Sequence, residues 1–376
     1  MSGTTDGETG GEPIRRSVEV EYWVVDESGH LTEPGELVGA SAGVEREFVE
    51  PLLEVKTTPC ETTAELRREL LGRLGSVLRR ADELGLGLVP LATPLHADEI
   101  SELRGQRTRI QNEVVGEAFR YVRHCAGTHI HVEQQPGHAV DQLNTFVALD
   151  PALALVNSAP YFEGEHLAAG ARSELYRRMA YGDMPHQGRL WPYVDDAGEW
   201  TRRLERRYEE FATAALEADV DRAVFESQFD AESAVWTPVQ LRGAFGTVEW
   251  RSPDAALPEQ VLRLADRLAT VTRTIRDGDC RIDGHRGSID DEEVVLPEFG
   301  AVIKRVDAAV SEGLGSDAVR SYLDRMGFDV SAYDPIAHEL EGRAPVSPAA
   351  ARQLRLEYAD RLDHAVREAG WTTLDR

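Results

Sequence analysis

The segment Ser17–Asp26 reads SVEVEYWVVD and predicts the strand on which the fold is built. β-branched and aromatic residues dominate it, and neither Gly nor Pro interrupts it. Side chains alternate between the two faces of a strand, so Glu19 and Glu21 share one face while Val18 and Val20 share the other. Two carboxylates that lie two residues apart on one strand face repel each other, and each favours protonation of the other. The pair therefore indicates either a solvated acidic face or one part of a cation site.

The charge of the chain narrows the range of its partners. Its 376 residues carry a formal net charge of −26 with a calculated pI of about 4.8, and Lys56 and Lys304 are the only lysines. A chain this acidic will not bind nucleic acid or an anionic membrane through bulk electrostatics. Concentrated salt screens such self-repulsion. The composition therefore favours a salt-loving cytoplasm over the alternative, a mildly acidic mesophilic protein.

The cysteines and the apolar runs predict a soluble, cytoplasmic protein. Cys60, Cys125 and Cys280 are far apart, and the absence of Cys-x-x-Cys argues against a disulfide framework or a zinc knuckle. Nothing resembles a signal peptide, and no apolar run approaches the ~18 residues of a membrane span. We therefore expect reduced thiols.

The order of the elements predicts an α+β fold. Residues 1–14 are expected to be a disordered acidic tail, and residues 15–376 a single catalytic domain with a core at about 17–280 and a helical extension at about 285–376. Strands are predicted at 17–26, 48–58, 86–91, 127–133, 235–241 and 246–251. Helices are predicted at 62–84, 107–120, 143–156, 200–217, 258–277, 317–326 and 347–370. Residues 157–198 are expected to form a long loop, and such loops usually carry function.

Acidic residues recur at alternating positions of these strands. Glu54 interrupts an apolar run and Glu47 lies seven residues earlier, while Glu249 and Arg251 share a face of the last strand. A buried acid is costly unless it is paired or coordinated. Glu54 is therefore either a metal ligand or a buried acid paired with an arginine. Glu249 and Arg251 are either part of a site or an ordinary cross-strand ion pair.

Imidazoles accompany these acids. His129, His131 and Glu133 share one face of the strand at 127–133, which is compatible with surface histidines, with a zinc pair of a hydrolase, or with a site rich in oxygen ligands. Oxygen ligands with an occasional imidazole suit Mg²⁺ or Mn²⁺. If the strands are neighbours, their acids form a surface that meets the needs of an ATP site without a P-loop.

One further motif gives weaker evidence of a function. Residues 39–43, GASAG, match the Gly-x-Ser-x-Gly nucleophile elbow, which requires a hydrophobic strand before it and a helix after it. The strand before it is scant and Pro51 soon follows, so a flexible loop of small residues is the prediction. Neither a Walker A sequence nor Gly-x-Gly-x-x-Gly occurs.

Taken together, these blocks resemble the glutamate–cysteine ligase family, in its carboxylate–amine ligase branch and of a haloarchaeal type. The resemblance covers roughly residues 17–275. The family's Gly-(Ile/Val)-Glu-x-Glu strand is matched at 17–21, Glu-(Val/Leu)-x-Thr at 54–57, Gly-x-His-(Val/Ile)-His-Val at 127–132, and Phe-Gly-Thr-(Leu/Val)-Glu-x-Arg at 245–251. The family's Ser-Ala-x-x-Pro-Phe-x-x-Gly loop looks like residues 157–164, with Arg172 downstream.

The resemblance implies a glutamine-synthetase-like catalytic domain, with a mainly antiparallel sheet, flanking helices and a helical C-terminal part. It implies ATP and Mg²⁺ or Mn²⁺ as cofactors. It implies that His129 lies near the nucleotide and that Arg172 binds a substrate carboxylate. It also implies that Arg251 contacts phosphate, and that Arg251 and Glu54 are catalytic. The implied metal ligands are Glu19, Glu21, Glu47, Glu54 and Glu249.

The implied reaction transfers the γ-phosphoryl group of ATP to the side-chain carboxylate of glutamate, after which the amine of cysteine displaces phosphate. Amino acids are the expected partners, and a homo-oligomer is compatible with the sequence. Ser17 replaces the usual Gly, Val20 fills a position that is often Glu, and residues 165–171 lack the family's Thr-Gly-(Phe/Tyr). A catalytically silent nucleotide-binding relative and a metal-dependent hydrolase therefore stay as alternatives.

Overall fold

The computed structural model describes residues 12–97, 100–342 and 345–370. Most of the predicted acidic tail at residues 1–14 lies outside these ranges, but Ile14, which was assigned to the tail, is buried in the main core. The expected fold class is confirmed, because helices flank a mainly antiparallel sheet.

The main sheet is built around its longest strand. The strands are β1 Arg16–Asp26, β2 Val44–Arg46, β3 Leu52–Lys56, β4 Leu86–Val89, β5 Thr128–Glu133, β6 Tyr161–Phe162, β7 Glu165–His166, β8 Val239–Arg242, β9 Thr247–Trp250, β10 Asp279–Ile282, β11 Ser288–Ile289 and β12 Glu293–Leu296. Across the main sheet the order is β2-β3-β1-β5-β9-β8, and β4 pairs with the second half of β1. Each of these neighbours is antiparallel.

The helices surround this sheet. They are α1 Thr63–Leu84, α2 Gln106–Val115, α3 Ala139–Leu149, α4 Ala171–Glu174, α5 Ala197–Glu217, α6 Arg222–Gln228, α7 Ala231–Ala234, α8 Pro258–Asp277, α9 Phe299–Ser311, α10 Asp317–Arg325, α11 Ile336–Leu340 and α12 Pro348–Glu368. The predicted capping box is present: the Thr62 hydroxyl accepts from the N–H of Glu65, whose carboxylate accepts from the N–H of Thr62. Gly85 ends α1 in the left-handed conformation, at a φ of 67°.

The two faces of β1 differ as the alternation predicts. Val18, Val20, Tyr22 and Val24 are fully buried in the main core, to which α1, α3 and α8 contribute. The opposite face changes character along the strand. Its second half packs in a separate apolar cluster that contains Trp23 and residues of α12, whereas its first half presents acids.

The register places those acids beside one another. Glu21 lies opposite Glu54 of β3, and Glu19 lies between Lys56 of β3 and His129 of β5. Because opposed residues in a sheet share a face, these five side chains lie on the same side of it.

Two predicted helices end early. α2 ends at Val115, Gly116 adopts a φ of 70°, and 3-10 turns follow over Gly116–His124. α3 ends at Leu149, and Asp150–Val156 continues as a 3-10 helix. Pro151 lies in the first turn of that 3-10 helix, where its missing N–H costs no hydrogen bond.

The C-terminal part is helical but also contains a small sheet that was not predicted. In this sheet β12 pairs with β10 in parallel and with β11 in antiparallel orientation. These strands are short, and most of their side chains are at least partly exposed, so the apolar alternation that reveals a longer strand is missing.

The loop expected at 157–198 is partly ordered into regular structure. It contains the β6–β7 hairpin, α4 and a π-helical turn over Leu175–Met179. This region brings Arg172, Tyr176 and Tyr181 to the acid-bearing face of the main sheet.

Candidate active site

The acid-bearing face forms one wall of a cavity of about 380 Å³. Every site residue proposed from the sequence lines this cavity. They are Glu19, Glu21, Glu47, Glu54, His129, Arg172, Glu249 and Arg251. The fold therefore brings together residues from segments that are distant in sequence.

One group of acids comes from β1, β3 and the turn before β3. Carboxylate oxygens of Glu21, Glu47 and Glu54 all lie within 4.8 Å of one another. Burial raises the pKa of Glu21 and of Glu47 to about 7. Burial, together with the nearby Glu47 and Glu19, raises the pKa of Glu54 to about 9. Such a group needs protons or a cation to be stable.

Lys56 provides one compensating charge. Its Nζ lies 2.8 Å from Glu54 Oε2 and 3.2 Å from Glu45 Oε2. Burial by itself lowers the pKa of Lys56, but Glu54 and its neighbours more than offset this and raise it. No role for Lys56 was predicted from the sequence, although its position two residues after Glu54 on the same strand face was a usable signal.

Two further groups share Glu19. Ligand atoms of Glu19, Glu54 and His129 lie within 4.8 Å of one another, and so do those of Glu19, His131 and Glu249. Because Glu19 and Glu54 each belong to two groups, the groups form one continuous row across the sheet. Carboxylates with one imidazole are a donor set suited to Mg²⁺ or Mn²⁺.

His131 shows that these residues fit a metal. Its Nδ1 lies 3.1 Å from the hydroxyl of Thr247, which fixes the ring. Its Nε2 is buried without a hydrogen-bond partner, 3.6 Å from a carboxylate oxygen of Glu249 and 3.8 Å from one of Glu19. A cation bound between these three atoms would satisfy the nitrogen. His131 was considered in the sequence as one of a pair, but it was not among the proposed ligands.

His129 is held beside the same acids. Its Nδ1 lies 3.3 Å from Glu19 Oε2 and 3.6 Å from Glu249 Oε1. Burial, reinforced by the charge of Arg251, lowers the pKa of His129 to about 4. The imidazole is therefore neutral at pH 7, which is the form that binds a metal ion.

Glu249 links the ligand row to two arginines. It is 1% exposed, with Arg251 Nη1 2.7 Å from Oε1 and Arg242 Nη1 3.0 Å from Oε2. Burial raises the pKa of a carboxyl, but here Arg251, the histidines and Arg242 outweigh it and lower the value to about 2. Glu249 is thus ionised at any physiological pH, and Arg251 is fixed next to the ligands. Arg242 was not foreseen.

Arg172, which was expected to hold a substrate carboxylate, lines the cavity and also bonds to the backbone. It is 2% exposed, and its Nη atoms donate to the backbone carbonyls of Arg251, Ser252 and Pro253 at 3.2–3.4 Å. Its guanidinium also lies 5.4 Å from the centre of the Tyr176 ring. Nη1 and Nη2 are therefore hydrogen-bonded to the chain itself, whereas the buried Nε has no hydrogen-bond partner.

Two features from the sequence lie away from the cavity. Glu133, expected on the face of His129, forms an ion pair with Arg15 at the end of β5. The GASAG segment at 39–43 runs through a turn into β2 rather than into a helix. It therefore lacks the geometry of a nucleophile elbow.

Aromatic side chains also line the cavity, which was not predicted from the sequence. They are Phe48, Phe119, Tyr176, Tyr181, Phe211, Trp236 and Phe245. The only available signal was the aromatic content of region 157–198, because the other rings come from four separate segments.

The family of this chain follows from its similarity to known sequences. A sequence model of glutamate–cysteine ligase family 2 matches residues 17–283. The chain belongs to this family. The matched region contains all the strands that carry candidate ligands of the cavity, so the similarity to the family includes the candidate site.

Two relatives of the family agree with this assignment. A Paracoccus denitrificans protein with the provisional name glutamate–cysteine ligase 2 is 29% identical in an alignment 275 residues long that covers 67% of this chain and 67% of that protein. The glutamate–cysteine ligase of Haloferax volcanii is 24% identical in an alignment 350 residues long that covers 82% of this chain and 88% of that protein.

Solved structures show the same fold. The glutamate–cysteine ligase of Francisella tularensis, crystallised with AMP, superposes with a TM-score of 0.59 at 12% identity and covers 95% of this chain and 89% of that one. A bifunctional glutathione synthetase from Pasteurella multocida gives a TM-score of 0.58 at 15% identity and covers 95% of this chain. This chain spans about half of that protein, 53%. Within the described residues, no helix combines the length and apolarity needed to cross a membrane.

Proposed function

We propose that this family member is an ATP-dependent carboxylate–amine ligase that joins the side-chain carboxylate of glutamate to the amine of cysteine. The observation that carries the proposal is the continuous row of ligand atoms that shares Glu19 and Glu54 and ends at Glu249, next to Arg251. The names of the two relatives support glutamate and cysteine as substrates, and the AMP complex of the Francisella enzyme supports a nucleotide.

The donor set supports Mg²⁺ or Mn²⁺ rather than a structural zinc. Glu21, Glu47 and Glu54 would hold one end of the row, and Glu19 with His129, His131 and Glu249 would hold the other. Bound divalent cations would neutralise charge on the triphosphate.

Arg251 has the position needed to stabilise the transferred group. Its guanidinium is only partly exposed and is anchored on Glu249, so it presents a fixed positive charge to the cavity. Such charge stabilises a γ-phosphoryl group as its bond to ADP breaks and a bond to the glutamate carboxylate forms. The amine then attacks the acyl carbon of the resulting acyl phosphate, the amide C–N bond forms, and the C–O bond to phosphate breaks.

The proposal extends to the setting of the enzyme. We propose that residues 15–376 act as one catalytic unit on small amino acids. The enzyme would work in a salt-rich cytoplasm, without nucleic acid or a membrane as partner. The net charge of −26 supports the salt requirement, because ions screen repulsion between exposed acids.

The experiment is a phosphate-release assay in molar KCl with Mg²⁺ and ATP, adding glutamate alone and then glutamate with cysteine or another amine. We expect release that needs ATP, glutamate and the amine together, with an amide product seen by mass spectrometry. Hydrolysis of a substrate in the absence of ATP would favour a metal-dependent hydrolase. ATP binding without turnover under any pairing would favour a silent relative.

A further inference from the structure

Phe245 differs from the other aromatic residues of the cavity in its exposure. It lies in the turn between β8 and β9, at the rim of the cavity, and it is 64% exposed. A large apolar ring left this exposed at the edge of a polar site buries little of its surface in the fold. Its exposed face is therefore available to a ligand.

The other rings of the cavity are engaged with aromatic neighbours. Tyr176 stacks on Trp236 with 4.2 Å between ring centres and 17° between planes. Phe119 is buried, and its centre lies 5.8 Å from that of Phe48. None of these rings is exposed as Phe245 is.

The ring of Phe245 is supported from the cavity side. The Arg242 guanidinium lies over it at 5.1 Å from the centre, and His131 approaches it edge-on at 5.9 Å. Arg242 itself is anchored on Glu249 at 3.0 Å and on Glu232 at 3.3 Å. One side of the ring is thus covered by a fixed cation, and the ring is tied to the end of the ligand row at Glu249.

We propose that Phe245 is the platform on which the base of the nucleotide stacks. This inference rests on the proposed function, because phosphates at the ligand row would leave the base to extend toward the rim. A flat base on an aromatic face is held by its π-surface and needs no hydrogen-bonding edge. Arg242 on the other face of the ring strengthens such a stack through its cation–π contact.

The test compares two ligands that share a triphosphate and differ in the base. Binding of Mg–ATP and of Mg–tripolyphosphate is measured by calorimetry in molar KCl for the wild type, Phe245→Ala, Phe245→Trp and the control Leu216→Ala. Leu216 is 48% exposed and does not line the cavity, so its substitution removes a comparable surface side chain elsewhere.

We expect Phe245→Ala to weaken ATP binding by about tenfold while tripolyphosphate binding is unchanged. Phe245→Trp should bind ATP at least as well as the wild type, and Leu216→Ala should match the wild type for both ligands. Unchanged ATP affinity in Phe245→Ala, or an equal loss for both ligands, would overturn the inference. The inference would also be overturned if the wild type bound ATP no more tightly than tripolyphosphate. A wild type that binds neither ligand would overturn the proposed function itself.

Discussion

The guanidinium of Arg172 donates from both Nη1 and Nη2, each at 3.2 Å, to the backbone carbonyl of Arg251. One buried arginine thereby fixes the backbone of another whose side chain enters the cavity. Trp250 and Ser252, on either side of Arg251, are also tied down, because the indole of Trp250 and the hydroxyl of Ser252 both donate to Asp150. The position of Arg251 is set by buried polar contacts on both sides of the chain.

Replacing Arg172 with lysine should therefore reduce kcat more than it changes the KM for glutamate. A lysine cannot serve three carbonyls in this geometry, and a misplaced Arg251 would cost about 10- to 100-fold in rate. Loss of the buried hydrogen bonds should also lower the free energy of unfolding by about 1–3 kcal/mol. The measurement is steady-state kinetics together with urea unfolding.

The control for this substitution is Arg178→Lys. Arg178 lies in the same region, but it is exposed and pairs with Glu174 and Asp307. It should leave both rate and stability near wild type. A rise in the KM for glutamate at constant kcat in Arg172→Lys would instead support the substrate-binding role that the sequence suggested.

Glu54→Gln should abolish turnover and leave the fold intact. Glutamine keeps the shape of the Glu54 carboxyl, whose pKa burial and the nearby Glu47 raise to about 9, but it cannot supply a negatively charged ligand. We expect a loss in kcat of at least about 100-fold and a change in unfolding free energy within about 1 kcal/mol. The matched control is Glu45→Gln, which changes the exposed acid opposite Glu54 on β2. Wild-type turnover in Glu54→Gln would remove Glu54 from the site.

Stabilisation by Mg²⁺ should increase with pH. The pKa values of Glu21 and Glu47 are about 7 and that of Glu54 is about 9, all above the ~4.3 of an unfolded glutamate. At these three carboxyls the folded protein therefore holds more protons than the unfolded chain above about pH 4.3, and without metal their contribution to stability falls as pH rises toward 9. A cation must displace these protons, so its binding tightens over the same range.

This dependence is measured as the difference in Tm with and without Mg²⁺ at pH 6.0 and 8.5 in constant KCl. We expect the larger difference at pH 8.5, and a weaker pH dependence in Glu54→Gln, which has lost one titrating ligand. A difference in Tm that does not change with pH would show that these acids do not bind the ion.

Local signals account for the parts of the fold that the sequence predicted well. The alternation in β1 is visible because valines and acids follow each other without interruption, and Thr62 with Glu65 forms a cap that involves only neighbouring residues. Pro258 begins α8 as expected, because its fixed backbone angle suits a first helical turn. Each of these features depends on a few adjacent positions.

The parts that were missed depend on contacts between distant segments. Nothing near Arg172 in the sequence indicates that its nitrogens bond to carbonyls about eighty positions away. The free Nε2 of His131 likewise arises from two other strands that bring Glu19 and Glu249 to it. Motifs identified which residues meet in the cavity, but side-chain packing decided what each of them does there.

His131→Ala provides the most direct test of the ligand row, because its Nε2 lacks a partner only if no cation binds there. Removing this ligand should raise the Mg²⁺ concentration for half-maximal activity by at least about tenfold. His138→Ala is the control, since His138 lies at the N-terminus of α3 and pairs with Asp141 instead. Identical metal dependence in His131→Ala and the wild type would mean that His131 does not bind the cation, and Glu19 with Glu249 would then be the pair to substitute next.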